Sequence, residues 1–146
     1  MLKPAPHCCL ATIVSLAAIW LLGCQRVPSP MEAKKELIGQ YKLFIGADKT
    51  FIRNKDLLSS TLVLRSDGTF EEECIFQNKG RSTIDGSWHY FEGNVQFSRF
   101  RDCAGVWPSE TEKEDTTASL IVRFSKPPII LISPDVNVFY ERVEVN

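Results

Sequence analysis

The feature that most constrains this chain is an alternation of apolar and polar residues with a period of two, which begins near Ile38 and continues to Val143. This period, with β-branched and aromatic residues in the apolar positions, is typical of antiparallel strands that bury one face. A short helical turn from Met31 to Leu37 precedes it. The sequence therefore predicts an all-β domain with these candidate strands: Ile38 to Ile45, Thr61 to Arg65, Thr69 to Gln77, Ser82 to Tyr90, Asn94 to Phe100, Ala118 to Phe124, Ile129 to Ile132 and Asn137 to Val143.

Turn-forming residues separate these strands and indicate how they connect. Ser66-Asp67-Gly68 and Glu92-Gly93-Asn94 contain residues that accept left-handed backbone angles, so each predicts a tight hairpin. Asn78-Lys79-Gly80-Arg81 predicts a looser connection of the same kind. Together they predict a meander of consecutive hairpins from Thr61 to Phe100. Rolling such a sheet into a barrel would bury its apolar face and remove its exposed edges.

Four segments carry a resemblance to a known group of proteins: Ile38-Gly39-Gln40-Tyr41, Leu64-Arg65-Ser66-Asp67-Gly68-Thr69-Phe70, Gly86-Ser87-Trp88 and Tyr140-Glu141-Arg142-Val143. They resemble the small lipocalin-like, or calycin-like, β-barrel lipoproteins and secreted proteins of bacteria. The resemblance implies that residues 37–146 form an antiparallel meander of seven or eight strands that closes into a small barrel. Proteins with this fold do many unrelated things, so the fold alone names no ligand.

An apolar run of 13 residues, Leu10 to Leu22, ends at the segment Leu21-Leu22-Gly23-Cys24. A membrane-spanning helix needs roughly 20 residues, so this run has the length of a signal-peptide core. The segment resembles the bacterial lipobox, which has an aliphatic residue three places before a lipidated cysteine. The resemblance implies a lipoprotein signal peptide at residues 1–23, a lipidated Cys24, and a tether over residues 24–36. An ordinary secretory signal and an uncleaved anchor are the alternatives.

A lipidated Cys24 would make lipid, rather than charge, the means of membrane attachment. Without the predicted signal the chain would hold 16 basic and 18 acidic residues, since only Lys3 is lost. This balance argues against a nucleic-acid partner. Residue 25 is Gln, not the Asp that retains enterobacterial lipoproteins in the inner membrane. By that analogy we expect the periplasmic face of an outer membrane, or the cell membrane if the organism lacks an outer membrane.

The five cysteines divide into two groups once the signal peptide is set aside. Cys8 and Cys9 would be removed, and Cys24 would be acylated. Cys74 and Cys103 then remain as an even pair in an oxidising compartment, which favours a disulfide. A redox or metal-binding pair is the alternative, although the sequence has no Cys-x-x-Cys motif. We therefore predict neither a metal site nor a cofactor.

Alternation also places two charged residues on the inward face of the predicted sheet. Glu72 shares a face with apolar residues of the third strand, and Arg99 shares one with those of the fifth. A register that keeps the apolar faces together would put Glu72 opposite Trp88 and Gly86 opposite Arg99. The two charges could then pair across the glycine and form the polar floor of a ligand cavity. Alternatively, both side chains reach outward to water.

Trp107 lies in the long connection from Cys103 to Thr117, which is the most individual part of the chain. It is predicted either to cover a barrel mouth or anchor a partner protein, or to fold down and close one end of the core.

One outer strand face carries an acid, a serine and a histidine: Asp85, Ser87 and His89. Residues that stand side by side on a strand do not form a catalytic triad.

Two functional classes follow from these features, and neither is an enzyme. The first is a noncatalytic binding or envelope-associated lipoprotein that holds a small apolar ligand or an envelope protein. The second is an inhibitor or immunity-type lipoprotein that binds a toxin or a cell-wall hydrolase. For either class the candidate contact residues are Glu72, Trp88, Arg99 and Trp107.

Overall fold

The computed structural model describes residues 28–107 and 117–143. Within these residues one helix, α1 (Pro30–Leu37), precedes eight strands: β1 (Gly39–Ile45), β2 (Leu57–Leu64), β3 (Thr69–Phe76), β4 (Gly80–Phe91), β5 (Asn94–Phe97), β6 (Ala118–Arg123), β7 (Ile129–Ser133) and β8 (Val138–Arg142). Each strand pairs antiparallel with the next, and β8 pairs with β1 to close a barrel. The predicted all-β meander barrel is confirmed. The predicted signal peptide and Cys24 lie outside the described residues.

The strand bounds differ from their predictions by one or two residues at most ends, and by more at the start of β2 and the end of β5. β2 begins at Leu57 rather than Thr61, and its register with β3 shifts between Leu57 and Ser59. Such a bulge interrupts the alternation that the sequence pattern relied on. β5 ends at Phe97 rather than Phe100, because the chain leaves the sheet there and buries Phe100 at one end of the barrel.

The two tight hairpins form as their sequences predict. Asp67 accepts hydrogen bonds from the backbone N–H of Thr69 at 2.9 Å and from its hydroxyl at 2.7 Å. Glu92 and Gly93 both have positive φ angles, 47° and 84°, as a two-residue hairpin loop of type I′ requires. This loop pairs Trp88 with Phe97, which is the predicted register of β4 and β5.

Large aromatic side chains from several strands occupy the interior of the barrel. Tyr41, Phe70, Trp88, Phe97 and Tyr140 are all 3% exposed or less. The rings of Phe70 and Phe97 meet edge to face, with centroids 4.9 Å apart. Because burying one large apolar side chain contributes about 1.5–3 kcal/mol, this interior is a major source of stability.

Helix α1 closes one mouth of the barrel, which we call the helix end. It begins with a capping box, in which Ser29 and Glu32 satisfy each other's backbone N–H groups. Its inner face buries Ala33 and Leu37 completely. The Tyr41 hydroxyl donates to the Leu37 carbonyl at 2.7 Å and ties the helix to β1. The predicted helical turn is thus part of the barrel's packing, although the sequence assigns it to the tether.

The opposite mouth, which we call the disulfide end, is closed by the segment after β5. A disulfide joins Cys74 on β3 to Cys103 in that segment, with Cα atoms 6.1 Å apart, so the predicted pairing forms. Arg53 donates through Nε to the Gly105 carbonyl at 2.8 Å, and Asn54 donates through Nδ2 to the Cys103 carbonyl at 2.8 Å. These bonds hold the segment across the mouth.

Candidate functional site

A cluster of polar side chains lies inside the barrel near the disulfide end and centres on Glu72. This glutamate is only 1% exposed. Its Oε1 accepts a hydrogen bond from the Tyr140 hydroxyl at 2.6 Å, and its Oε2 accepts one from the Arg101 backbone N–H at 3.3 Å. The Tyr140 oxygen lies 2.6 Å from the Ser60 hydroxyl, so a chain of hydrogen bonds runs from Ser60 to Glu72.

The surroundings of Glu72 favour its neutral form. Burial raises the pKa of Glu72 to about 8, against the lowering effect of the hydrogen bonds from Tyr140 and the Arg101 backbone. The charge of the nearby Asp102 raises it further. Burial and the neighbouring Glu72 charge also raise the pKa of Tyr140 well above its usual value. At neutral pH the cluster therefore holds a protonated carboxyl beside a neutral phenol.

The predicted contacts of Glu72 with Trp88 and Arg99 are wrong. Glu72 lies opposite Ile84 on β4, four residues from the predicted partner Trp88. Arg99 is exposed, because the chain has left the sheet after Phe97 and the alternation no longer applies to it. The inward-facing ion pair across Gly86 is consequently not formed.

Close packing, rather than an ion pair, surrounds Gly86. A Cβ atom at that position would lie 2.7 Å from Ser98 Oγ and 2.8 Å from a carbon of the Phe70 ring. The glycine is needed because a serine and an aromatic ring pack directly against its backbone.

Both tryptophans considered as contact residues are held by hydrogen bonds within the protein. Trp88 is buried at the helix end, and its Nε1 donates to the Arg65 carbonyl at 3.1 Å. Trp107 is half-buried, and its Nε1 donates to the Ile132 carbonyl at 3.2 Å. Its ring centroid lies 5.6 Å from that of Phe100. Of the two roles predicted for Trp107, these contacts describe the one in which it folds down and closes the core.

Asp102 is a buried acid that the sequence analysis missed. Its carboxylate accepts hydrogen bonds from the backbone N–H groups of Gly105 at 3.0 Å and Trp107 at 2.6 Å. Burial raises its pKa, and those backbone bonds oppose the change. An Asp before a glycine-containing turn is a recognisable signal for this arrangement, because Asp commonly bonds to backbone a few residues on.

The disulfide determines what the sulfur atoms near Glu72 can do. Ligand atoms of Glu72, Cys74 and Cys103 all lie within 4.8 Å of one another, a spacing that could hold a metal ion. The two sulfurs are joined to each other, however, and a disulfide does not supply the thiolates that bind metals. While the bond is intact, the two cysteines form a crosslink and do not act as metal ligands.

The outer wall carries the predicted surface residues. Asp85, Ser87 and His89 are all exposed along one face of β4. The two outward acids of β3 each have a basic neighbour, in the pairs Arg65–Glu71 at 2.8 Å and Arg81–Glu73 at 3.1 Å. Exposed ion pairs of this kind contribute roughly 0–1 kcal/mol each.

A half-open cleft of about 920 Å³ lies at the helix end, beside α1 and between the β4–β5 and β6–β7 turns. Its apolar lining includes Tyr90 and Phe124, whose rings meet edge to face with centroids 5.7 Å apart. Charged side chains are also part of its lining: Glu36, Arg123, Lys126 and Arg142. The cleft therefore combines an aromatic wall with a net charge of two positive units.

No model of a known protein family matches the chain, and no curated protein sequence matches it. Over residues 28–107 and 117–143, no helix is long and apolar enough to cross a membrane.

Proposed function

We propose that this protein is a lipid-anchored extracytoplasmic lipoprotein that acts as a noncatalytic binding or envelope-associated module. The observation that carries the proposal is the closure of both barrel mouths, by α1 at one end and by the segment from Phe100 to Trp107 at the other. With its mouths closed and aromatic side chains in its interior, the barrel has its outer surface available for binding.

The polar groups inside the barrel support a noncatalytic role. Glu72 and Tyr140 are at most 1% exposed, so a substrate in solvent does not reach them. A general acid or base must come within hydrogen-bond reach of the substrate proton it transfers. The cluster is better suited to holding β3, β8 and the closing segment together.

The helix-end cleft is the candidate binding surface. Binding sites for small ligands are usually concave and mostly apolar, with a few polar groups that orient the ligand. The cleft meets this description, because its lining combines the paired rings of Tyr90 and Phe124 with a few charged side chains. An inhibitor or immunity-type role remains the second candidate from the sequence, but the hydrogen-bonded position of Trp107 does not favour it.

The lipid anchor is tested by expressing the full-length chain in a bacterial host fed with an alkyne analogue of palmitate. We expect the protein to carry the label and to float with outer-membrane vesicles, and a Cys24→Ala variant to carry no label. Absence of label from the parent chain would overturn the lipoprotein assignment.

Binding is tested by native mass spectrometry of the protein purified from the envelope, before and after denaturation. A retained mass that is lost when the cleft residue Phe124 is changed to Asp would support a ligand at the cleft. A retained mass that persists in the Phe124→Asp variant would place the ligand elsewhere. The loss of two hydrogens relative to the reduced chain would report the Cys74–Cys103 bond in the same spectrum.

A further inference from the structure

We infer that the helix end of the barrel docks on the anionic phospholipid surface in which the protein is anchored. This inference rests on the proposed lipid anchor at Cys24. The docking face consists of residues that lie at the helix end: Pro28, Met31, Phe91, Arg123, Lys126 and Arg142.

The length of chain between the lipid and the barrel fixes which end faces the membrane. Pro28 lines the helix-end cleft, and four residue steps separate it from Cys24. An extended chain spans at most about 3.6 Å per residue, so Pro28 lies within roughly 14 Å of a lipidated Cys24. The strands carry the disulfide end farther away, since eight residues of strand span roughly 26 Å.

The charge of the cleft lining suits an anionic surface. The cleft lining includes Arg123, Lys126 and Arg142 and one acid, Glu36. Arg142 also donates to the Glu36 carbonyl at 2.8 Å, which fixes its position at the end of β8. Each Lys or Arg near an anionic bilayer strengthens binding by about fivefold. The net positive charge of the cleft lining contrasts with the predicted net negative charge of the whole chain after cleavage.

Two exposed apolar side chains lie at the same end and can enter the interfacial layer. Met31 on α1 is 71% exposed, and Phe91 at the end of β4 is 53% exposed. Exposed apolar residues such as Phe51 also occur toward the disulfide end, so apolar exposure alone does not choose the docking end. The short tether and the cations indicate that the helix end is the one that docks.

Tethering allows the weak contact between the helix end and the bilayer to be populated. A site linked to its partner by a short chain experiences an effective concentration in the millimolar range. A free domain with a few cations and two apolar side chains would bind vesicles poorly. On an anchored domain the same contacts form within a single complex with the membrane, at that effective concentration.

The test uses the full lipidated protein, reconstituted into vesicles whose phosphatidylglycerol carries bromine atoms on its acyl chains. Two matched tryptophan probes report the two ends: Phe91→Trp at the helix end and Phe51→Trp toward the disulfide end, where the native side chains are 53% and 55% exposed. Bromine quenches nearby indole fluorescence. We expect stronger quenching of the Phe91→Trp variant than of the Phe51→Trp variant, each relative to the parent chain.

Charge removal tests the cationic part of the inference. Changing both Arg123 and Lys126 to Gln in the Phe91→Trp background should weaken docking by roughly 25-fold, at about fivefold per charge. The matched control removes two exposed cations near the disulfide end, Lys79→Gln in the β3–β4 turn and Arg81→Gln at the start of β4, and should leave the quenching unchanged. Vesicles of brominated phosphatidylcholine alone should give little quenching in any variant.

The outcomes separate this inference from the anchor proposal. If the protein does not float with vesicles, the lipid anchor is wrong. If the protein floats but the Phe91→Trp and Phe51→Trp probes are quenched equally, or the Arg123 and Lys126 changes have no effect, the docking inference is wrong and the anchor stands.

Discussion

The buried Glu72 makes the stability of this protein depend on pH in an unusual direction. Its pKa is about 8 in the folded protein, against 4.5 for an unperturbed glutamate. Because the folded pKa is the higher one, protonation favours the folded state. The full stability is present below pH 4.5 and is lost as the pH rises toward 8. At 1.36 kcal/mol per pKa unit, the whole change amounts to about 5 kcal/mol.

The perturbation that tests this reasoning is Glu72→Gln, which keeps the shape of the side chain and removes the titration. We expect the free energy of unfolding of the parent protein to fall by roughly 3–4 kcal/mol between pH 5 and pH 8, with that of the variant changing much less. If the two proteins are equally stable at pH 5, the variant should be the more stable one at pH 8 by about 3–4 kcal/mol. The assay is urea unfolding with the disulfide intact, followed by circular dichroism at several pH values.

Glu71→Gln provides the matched control, since Glu71 is the neighbouring residue on β3 and faces outward. It pairs with Arg65 at 2.8 Å, with both side chains 43% exposed, so its replacement should change the free energy of unfolding by less than about 1 kcal/mol at either pH. If the parent and Glu72→Gln proteins lose stability in parallel from pH 5 to pH 8, Glu72 is not a neutral buried acid and the reasoning fails.

Three further perturbations test the packing of the barrel. Reduction of the bond between Cys74 and Cys103, which are 29 residues apart, should lower the free energy of unfolding by about 3–4 kcal/mol in urea titrations with and without reductant. Gly86→Ala should lower the melting temperature, at a cost of about 1–3 kcal/mol, because the added methyl would lie 2.8 Å from the Phe70 ring; unchanged melting would show that the ring can move. Leu37→Ala should cost about 2–5 kcal/mol and increase the binding of a hydrophobic dye at the helix end, whereas unaltered dye binding would show that α1 does not seal that mouth.

Local sequence patterns were sufficient to predict most of the strands. The period-two alternation identifies apolar faces that are buried in the structure, such as that of β6, where every second residue from Ala118 to Val122 is buried. The Glu92-Gly93 loop sets the register of β4 against β5, because a two-residue turn leaves one pairing available. The strand faces and the hairpin register depend on residues that are close together in the chain, which is why the sequence predicts them.

The register of β3 against β4 could not be read in the same way. The predicted partner of Glu72 was Trp88, and the partner in the barrel is Ile84. A shift of four residues leaves every side chain on the same face, because the faces alternate with a period of two. Alternation therefore supports both registers equally. The short connection after Phe76 selects the register. Phe76 pairs directly with Gly80, and Gly80 has a positive φ of 74°.

The chemistry of Glu72 depends on contacts that are distant in sequence, and this limits what a pattern can predict about the site. Alternation places the carboxyl inward, but its hydrogen-bond partner Tyr140 is 68 residues away and its other donor, the Arg101 backbone, lies beyond the end of β5. Cys103 brings that same segment against β3 through the disulfide. The closure that seals the mouth is thus also what removes water from Glu72 and raises its pKa. It follows that opening the disulfide should lower the pKa of Glu72 toward its ordinary value, so that the crosslink and the protonation of Glu72 are thermodynamically coupled.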